Sequence, residues 1–149
     1  MSETPLSDLI TRVLRSSVAR DTDRLHREFL AASVGIFVLR LPNAPAGAVI
    51  DAGGLELPIF RAPNGMRVIR VCADPEVFQA RFGVVLNALI TGDEALEMLR
   101  NGDPTIDGVL LASAASEHSI LFTRADAEVL LATREAERAR ARPWWKRWS

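Results

Sequence analysis

The stretch from Ala48 to Val71, AVIDAGGLELPIFRAPNGMRVIRV, constrains the fold of this chain more than any other. It reads as three short strands joined by two tight turns. Gly53-Gly54 lies between two apolar runs, and glycine reaches positive φ without steric cost, so the pair suits a two-residue hairpin turn. Leu55 to Phe60 alternates: Leu55, Leu57 and Ile59 take one face, Glu56, Pro58 and Phe60 the other. Pro58 has no N–H for a ladder, which assigns this strand to an edge or a bulge. Pro63-Asn64-Gly65 supplies the second turn. Met66 to Val71 alternates less cleanly, because Ile69 and Val71 share a face with Arg67. A sheet covered by helices on one side and partly on the other produces such a pattern.

Around this centre the chain alternates helix and strand signals. Leu6, Leu9, Ile10, Val13 and Leu14 repeat as one helical face, with Ser7, Asp8, Arg12, Arg15 and Ser16 expected on the wet side. Asp21 or Thr22 is placed to cap a second helix through about Ala32, with Leu25, Phe29 and Leu30 inward. Gly35 is expected to stop it, and Ile36 to Leu41 to form a buried strand. Pro42 to Gly47 is a loop. Asp74-Pro75-Glu76 starts a short helix ending near Phe82-Gly83. Val84 to Ile90 is a strand candidate. Thr91-Gly-Asp-Glu94 has capping-box spacing and opens a helix closing at Asn101-Gly102. Ile106–Ala112 and His118–Phe122 are two short strands separated by small residues. Thr123-Arg-Ala-Asp126 opens a final helix, in which Arg134, Glu135, Glu137 and Arg138 read as a solvated stretch ended by Pro143.

Length favours one domain with a useful core: there are 149 residues, 48% of them apolar, and no apolar run long enough to span a membrane. The start, Met-Ser-Glu-Thr-Pro, does not read as a secretory leader, and the single cysteine, Cys72, excludes an internal disulfide, so a reducing cytoplasm is expected. A net charge of −1 argues against nucleic acid as a partner. That charge is unevenly spread. Arg138, Arg140, Arg142, Lys146 and Arg147 are followed by no side-chain anion, and the rest of the chain must carry −6.

The order of elements, the segment Leu57-Pro58-Ile59-Phe60, the glycine-led strand Gly108-Val-Leu-Leu111 and the later Ile120-Leu-Phe-Thr-Arg-Ala-Asp-Ala-Glu-Val-Leu-Leu131 resemble the N-terminal domain of the enhanced serine sensitivity protein (SseB) family, over roughly Leu6 to Leu131. There are departures. Arg61 and Ala62 follow the phenylalanine where the family usually has a small hydroxyl residue. Ala112-Ser113 stand where an Asn-Pro pair often ends the glycine-led strand. The chain has no room for the family's frequent second domain. The resemblance implies an α+β domain without an established catalytic role. It also implies adaptor or partner-binding work in bacterial cytoplasm, sometimes near secretion or toxin-immunity systems.

The residues offer little chemistry. Cys72 and His118 could serve as a nucleophile and its base, yet nothing in the sequence brings them together and no oxyanion-hole signature accompanies them. A lone cysteine after an apolar strand reads as a small buried hydrophobe. His26 sits beside an apolar helix face and reads as structural. No His/Cys spacing suits zinc, and neither Gly53-Gly54 nor Asn64-Gly65 is built as a phosphate loop. Asp93, Glu94 and Glu97 begin a helix, where capping and the dipole explain them.

The tail, Arg142-Pro-Trp-Trp-Lys-Arg-Trp-Ser149, is less ordinary, because all three tryptophans of the chain fall in its last six residues. Three readings stand. The tail is a membrane-surface tether, with indoles at headgroup depth and cations on anionic lipid. It is a partner-docking peptide. Or its indoles fold back on the domain or on a second copy in a homo-oligomer.

The sequence therefore predicts an α+β fold: a mixed, mostly antiparallel sheet of about five or six strands with helices packed on it. Residues 1–131 form the domain, and 132–149 a helix extension and basic Trp-rich tail. The expected function is non-catalytic protein binding, with no catalytic, cofactor or metal residues. The partner would be met at Phe60 and Arg61 on the sheet edge, or at Trp144, Trp145, Lys146, Arg147 and Trp148. Membrane attachment through the tail, or a Cys/His enzyme, are the alternatives.

Overall fold

A computed structural model describes residues 3–16, 18–36, 49–52, 55–84, 86, 88–102 and 104–141. It shows an α+β protein. The helices are α1 (Pro5–Ser16), α2 (Ala19–Ala31), α3 (Pro75–Phe82), α4 (Gly92–Asn101) and α5 (Arg124–Ala141). The strands are β1 (Ser33–Ile36), β2 (Val49–Ala52), β3 (Leu55–Pro58), β4 (Phe60–Arg61), β5 (Arg67–Cys72), β6 (Ala88–Thr91), β7 (Gly108–Ala112) and β8 (Ser119–Thr123).

Six strands form the main sheet, in the order β6-β1-β5-β7-β8, with β4 also pairing with β5. Among the described strands only β5 and β7 pair in parallel, Val68 opposite Gly108 through Cys72 opposite Ala112. They are joined by α3, β6 and α4, because a parallel neighbour needs a long crossover. The meander expected from the sequence is therefore divided. β2 and β3 pair with each other as a separate two-stranded sheet, and β4 pairs with β5. The division falls at Pro58 and Ile59. Pro58 cannot extend a ladder, and the Ile59 side chain packs against the main core. The second turn forms as expected: Gly65 N–H bonds to Ala62 C=O at 2.8 Å, and Met66 N–H to the Asn64 side-chain oxygen at 3.1 Å. The first, at residues 53–54, lies outside the described residues, as do the loop at 42–47 and the end of the strand expected over 36–41.

One sheet face carries the core. Val34, Ile36, Ile69, Val71, Val109 and Phe122 meet Ile10, Leu25, Phe29, Leu96, Leu99 and Leu131 from α1, α2, α4 and α5. Each such side chain contributes about 1.5–3 kcal/mol by leaving water. On β5 the burial runs through both faces: Val68, Ile69, Val71 and Cys72 are buried while Arg70 is exposed. The unclean alternation has its expected cause, since α3 covers part of the second face through Phe78.

Several local expectations are corrected. α2 begins at Ala19 behind Val18, and no side chain caps it. Gly35 does not stop that helix. It lies in β1 opposite Leu89 and Cys72, where a Cβ would press on Leu86. β6 starts at Ala88, later than the apolar run suggested. Ser7 is fully buried. Its Oγ accepts the Ala114 N–H at 2.7 Å, and its own N–H, in the first turn of α1, donates to Asp74 Oδ2 at 2.8 Å. Asp74 therefore caps α1 from 67 residues away and makes no side-chain bond to α3, which it precedes. It holds the left-handed conformation (φ 47°, ψ 63°), a conformation that costs a non-glycine residue on the order of 1–3 kcal/mol.

The two remaining caps close as read. Thr91 and Glu94 form the capping box, and Asp126 replaces glutamate in the same exchange with Thr123 (2.9 and 3.2 Å). Arg134, expected in water, is instead 12% exposed and reaches Asp93 at 2.6 Å and Glu97 at 2.7 Å, joining α5 to α4. Burial by itself pushes the Asp93 carboxyl up. Hydrogen bonds from the Thr91 hydroxyl and Arg134, with the Arg134 charge, outweigh it and leave the group below the usual carboxylate range. A carboxyl held lower in the folded than in the unfolded chain stabilises the fold above the unfolded value, near 4. That contribution fades as pH falls through the folded value. Arg134→Met thus costs about 1–3 kcal/mol at pH 7 in urea unfolding, between an exposed and a buried pair. The gap to the natural protein should narrow below about pH 4; a pH-independent gap would remove Asp93 from the account.

Candidate functional site

The second face of the sheet is only partly covered, and a groove of about 450 Å³ opens there. Its position follows from local sequence. Turn 62–66 brings β4 back along β5 so that Phe60 stands opposite Val68. Asp74-Pro75 then turns the chain into α3, whose Phe78 and Phe82, four residues apart, come to share one side with ring centroids 4.7 Å apart. After Gly83 the chain passes Val84 and Leu86, and the Leu86 N–H is held by the Gln79 side-chain oxygen at 2.9 Å.

The groove wall is aromatic at Phe60, Phe78 and Phe82 and aliphatic at Pro58, Val84 and Leu86, with Arg70 and Cys72 from β5 completing it. Phe78 is buried, but Phe60, Phe82 and Val84 remain 40–42% exposed. Among the described residues Arg70 is the one charged group of the wall. Its guanidinium carbon lies 5.9 Å from the Phe60 ring centroid and 5.7 Å from that of Phe78, a cation–π placement on both. Arg81 makes the same contact with Phe82 at 5.8 Å.

Phe60, expected at the sheet edge as a partner-binding residue, is thus part of a concave surface. Arg61 is exposed and paired in register with Arg67, outside the groove wall. Trp144, Trp145, Lys146, Arg147 and Trp148 lie outside the described residues. Sequence reasoning missed Phe82, Val84 and Arg70. The available signals were the i, i+4 phenylalanine pair on a short helix and an arginine, Arg70, flanked by Ile69 and Val71 within a strand.

Cys72 lies on the groove floor beside Phe78, Ala112 and Ala114, but among the described residues no histidine or carboxylate lines the groove. His118 begins the approach to β8, two strands from Cys72 and so about 10 Å away at the backbone. Burial pushes the Cys72 thiol up to about 11, against a smaller opposing pull from the Arg70 charge. At neutral pH it is a thiol and not a nucleophile. A maleimide probe at pH 7.5 is expected to label the native protein at least about a hundredfold more slowly than the urea-unfolded chain; equal rates would show an accessible thiolate.

Among the described residues no three His, Cys, Asp or Glu side chains gather to hold a metal, and no helix is long and apolar enough to cross a membrane. Fold and groove together define an α+β domain with an open apolar concavity on the back of its sheet. Compared with family models, with curated proteins and with solved structures, the chain finds no match.

Proposed function

We propose that this chain is a protein-binding adaptor of the bacterial cytoplasm, acting without catalysis in the manner implied by its resemblance to the SseB N-terminal domain. The observation that supports this reading is the groove: Phe60, Phe82 and Val84 leave about two-fifths of their surface in water around a shaped, pre-formed concavity. Clustered exposure of large apolar side chains marks an interaction surface. The aromatic and arginine types present are those that dominate binding energy at interfaces. The high pKa of Cys72 and its distance from His118 support the non-catalytic part of the reading.

The test is a comparative affinity capture from the source cell. Phe60→Ala combined with Val84→Lys should lose at least about 90% of a bound partner, the effect of removing one or two hot spots. Thermal stability should change little, since both positions are half-exposed. Deleting residues 143–149 asks separately what the tail contributes. If the double variant and the truncated chain both retain every partner of the natural chain, the adaptor reading is lost. Flotation with anionic vesicles that depends on the tail would favour membrane attachment instead.

A further inference from the structure

Packed arginines elsewhere in this protein have polar partners, although the buried Nε of Arg134 has none among the described residues. Arg134 is bound by Asp93 and Glu97, Arg124 donates to the Ile106 and Leu99 carbonyls, and Arg67 donates to the Thr105 hydroxyl. Arg70 differs. Among the described residues no carboxylate lies within 4 Å of it, and its only side-chain neighbours of note are the two rings of Phe60 and Phe78. Those rings hold the guanidinium at the groove wall without using its hydrogen-bond donors. Its charge is felt at the groove floor by Cys72. Arg81, outside the wall but over the Phe82 ring that forms part of it, adds a second cation beside the groove. The concavity is therefore apolar in shape and positive in charge.

We infer that the groove takes a protein segment in which an aspartate or glutamate stands next to large apolar side chains, the carboxylate pairing with Arg70 and the apolar groups filling the space between Phe60, Phe82 and Val84. The inference rests on the groove being a protein-docking site, and it names the chemistry of the partner. Charge complementarity carries it. A guanidinium offers two parallel N–H donors to a carboxylate, and a pair closed off from water by apolar neighbours is stronger than one at the surface. The volume of the concavity falls within the range of sites that enclose a few side chains. Charge also argues against an occupant from this chain: the Trp-rich segment carries Arg142, Lys146 and Arg147 and no side-chain anion, so it would bring like charge to Arg70 and Arg81.

The test uses the full chain, labelled with 15N, and three capped hexapeptides of identical leucine and phenylalanine content. Two central residues of each are glutamate, glutamine or lysine. Dodecanoate serves as a lipid-like anion for comparison. The glutamate peptide is expected to shift the amides of Phe60, Phe82, Val84 and Leu86 and to bind about tenfold more tightly than the glutamine peptide in low salt, with the lysine peptide weakest. Arg70→Gln should bring the glutamate and glutamine peptides to equal affinity, and Arg70→Lys should keep part of the preference. The lysine variant serves alone should the glutamine one fail to fold. Equal binding of the glutamate and glutamine peptides by the natural chain overturns the inference and leaves the groove reading standing. Shifts from no peptide, or shifts only elsewhere, overturn both. Binding of dodecanoate without any peptide overturns the inference in favour of an anionic amphiphile.

Discussion

Gly92→Ala is expected to destabilise the protein by at least about 3 kcal/mol and to lower its melting temperature by roughly 6–12 °C. Gly92 is the first residue of α4, and its N–H donates to the Ala32 carbonyl at 3.1 Å, which draws α4 against the end of α2. A Cβ added there would meet the Phe29 backbone, with the carbonyl carbon at 2.6 Å, and the Phe29 ring at 3.0 Å. Backbone cannot step aside as a flexible side chain can, so two helices must separate or α4 must lose its capping box. Since the whole stability of such a domain is about 5–15 kcal/mol, this one methyl removes a large part of it. Gly65→Asn is the control. Gly65 has positive φ, but open space surrounds its missing Cβ, and asparagine tolerates that conformation, so the cost should stay below about 1 kcal/mol. Urea unfolding of both variants decides the matter. A loss below 1 kcal/mol for Gly92→Ala would mean the helices are not in such close contact.

Phe29→Ala should cost about 3–5 kcal/mol by the same measurement, with an unchanged denaturant slope. Phe29 is fully buried and stacks on Phe122, centroids 4.5 Å apart and planes 9° from parallel. It joins α2 to β8 across the core, and the His26 ring meets the same Phe122 edge-on at 5.8 Å. The ring pair itself is separable from simple burial. A cycle of Phe29→Leu and Phe122→Leu should return a coupling of about 0.5–1.5 kcal/mol. A coupling near zero would reduce the stack to ordinary packing.

Much of this architecture was written in periodicity. Leu6, Leu9 and Ile10, or Leu96 and Leu99, declare their faces by spacing alone, and the caps at Thr91 and Thr123 are local motifs that need no tertiary partner. What spacing could not convey was the destination of polar groups. Ser7 and Arg134 stand among charged neighbours and read as solvated, yet one is buried under Ala114 and the other bridges two helices. Both depend on partners at least 37 residues away. The same holds for the groove. Phe60 was legible as an exposed aromatic near a strand edge, but its neighbours Arg70, Phe82 and Val84 come together only through the return of β4 and the crossover after β5. Alternation along β5 hinted that both faces were occupied, but the arginine that marred it, Arg67, is not the one in the groove wall, which is Arg70.

The bond between the Ser7 hydroxyl and Ala114, with Asp74 closing the first turn of α1, sets a schedule for biosynthesis. As the chain leaves the ribosome, its first helix has an apolar face from Leu6 to Ile10 but lacks the carboxylate that caps it until residue 74 emerges, and lacks its buried partner until residue 114 does. A segment made before its partners is thus secured only after them. A chaperone that shelters amphipathic helices at the exit port has its natural window on this protein across that interval.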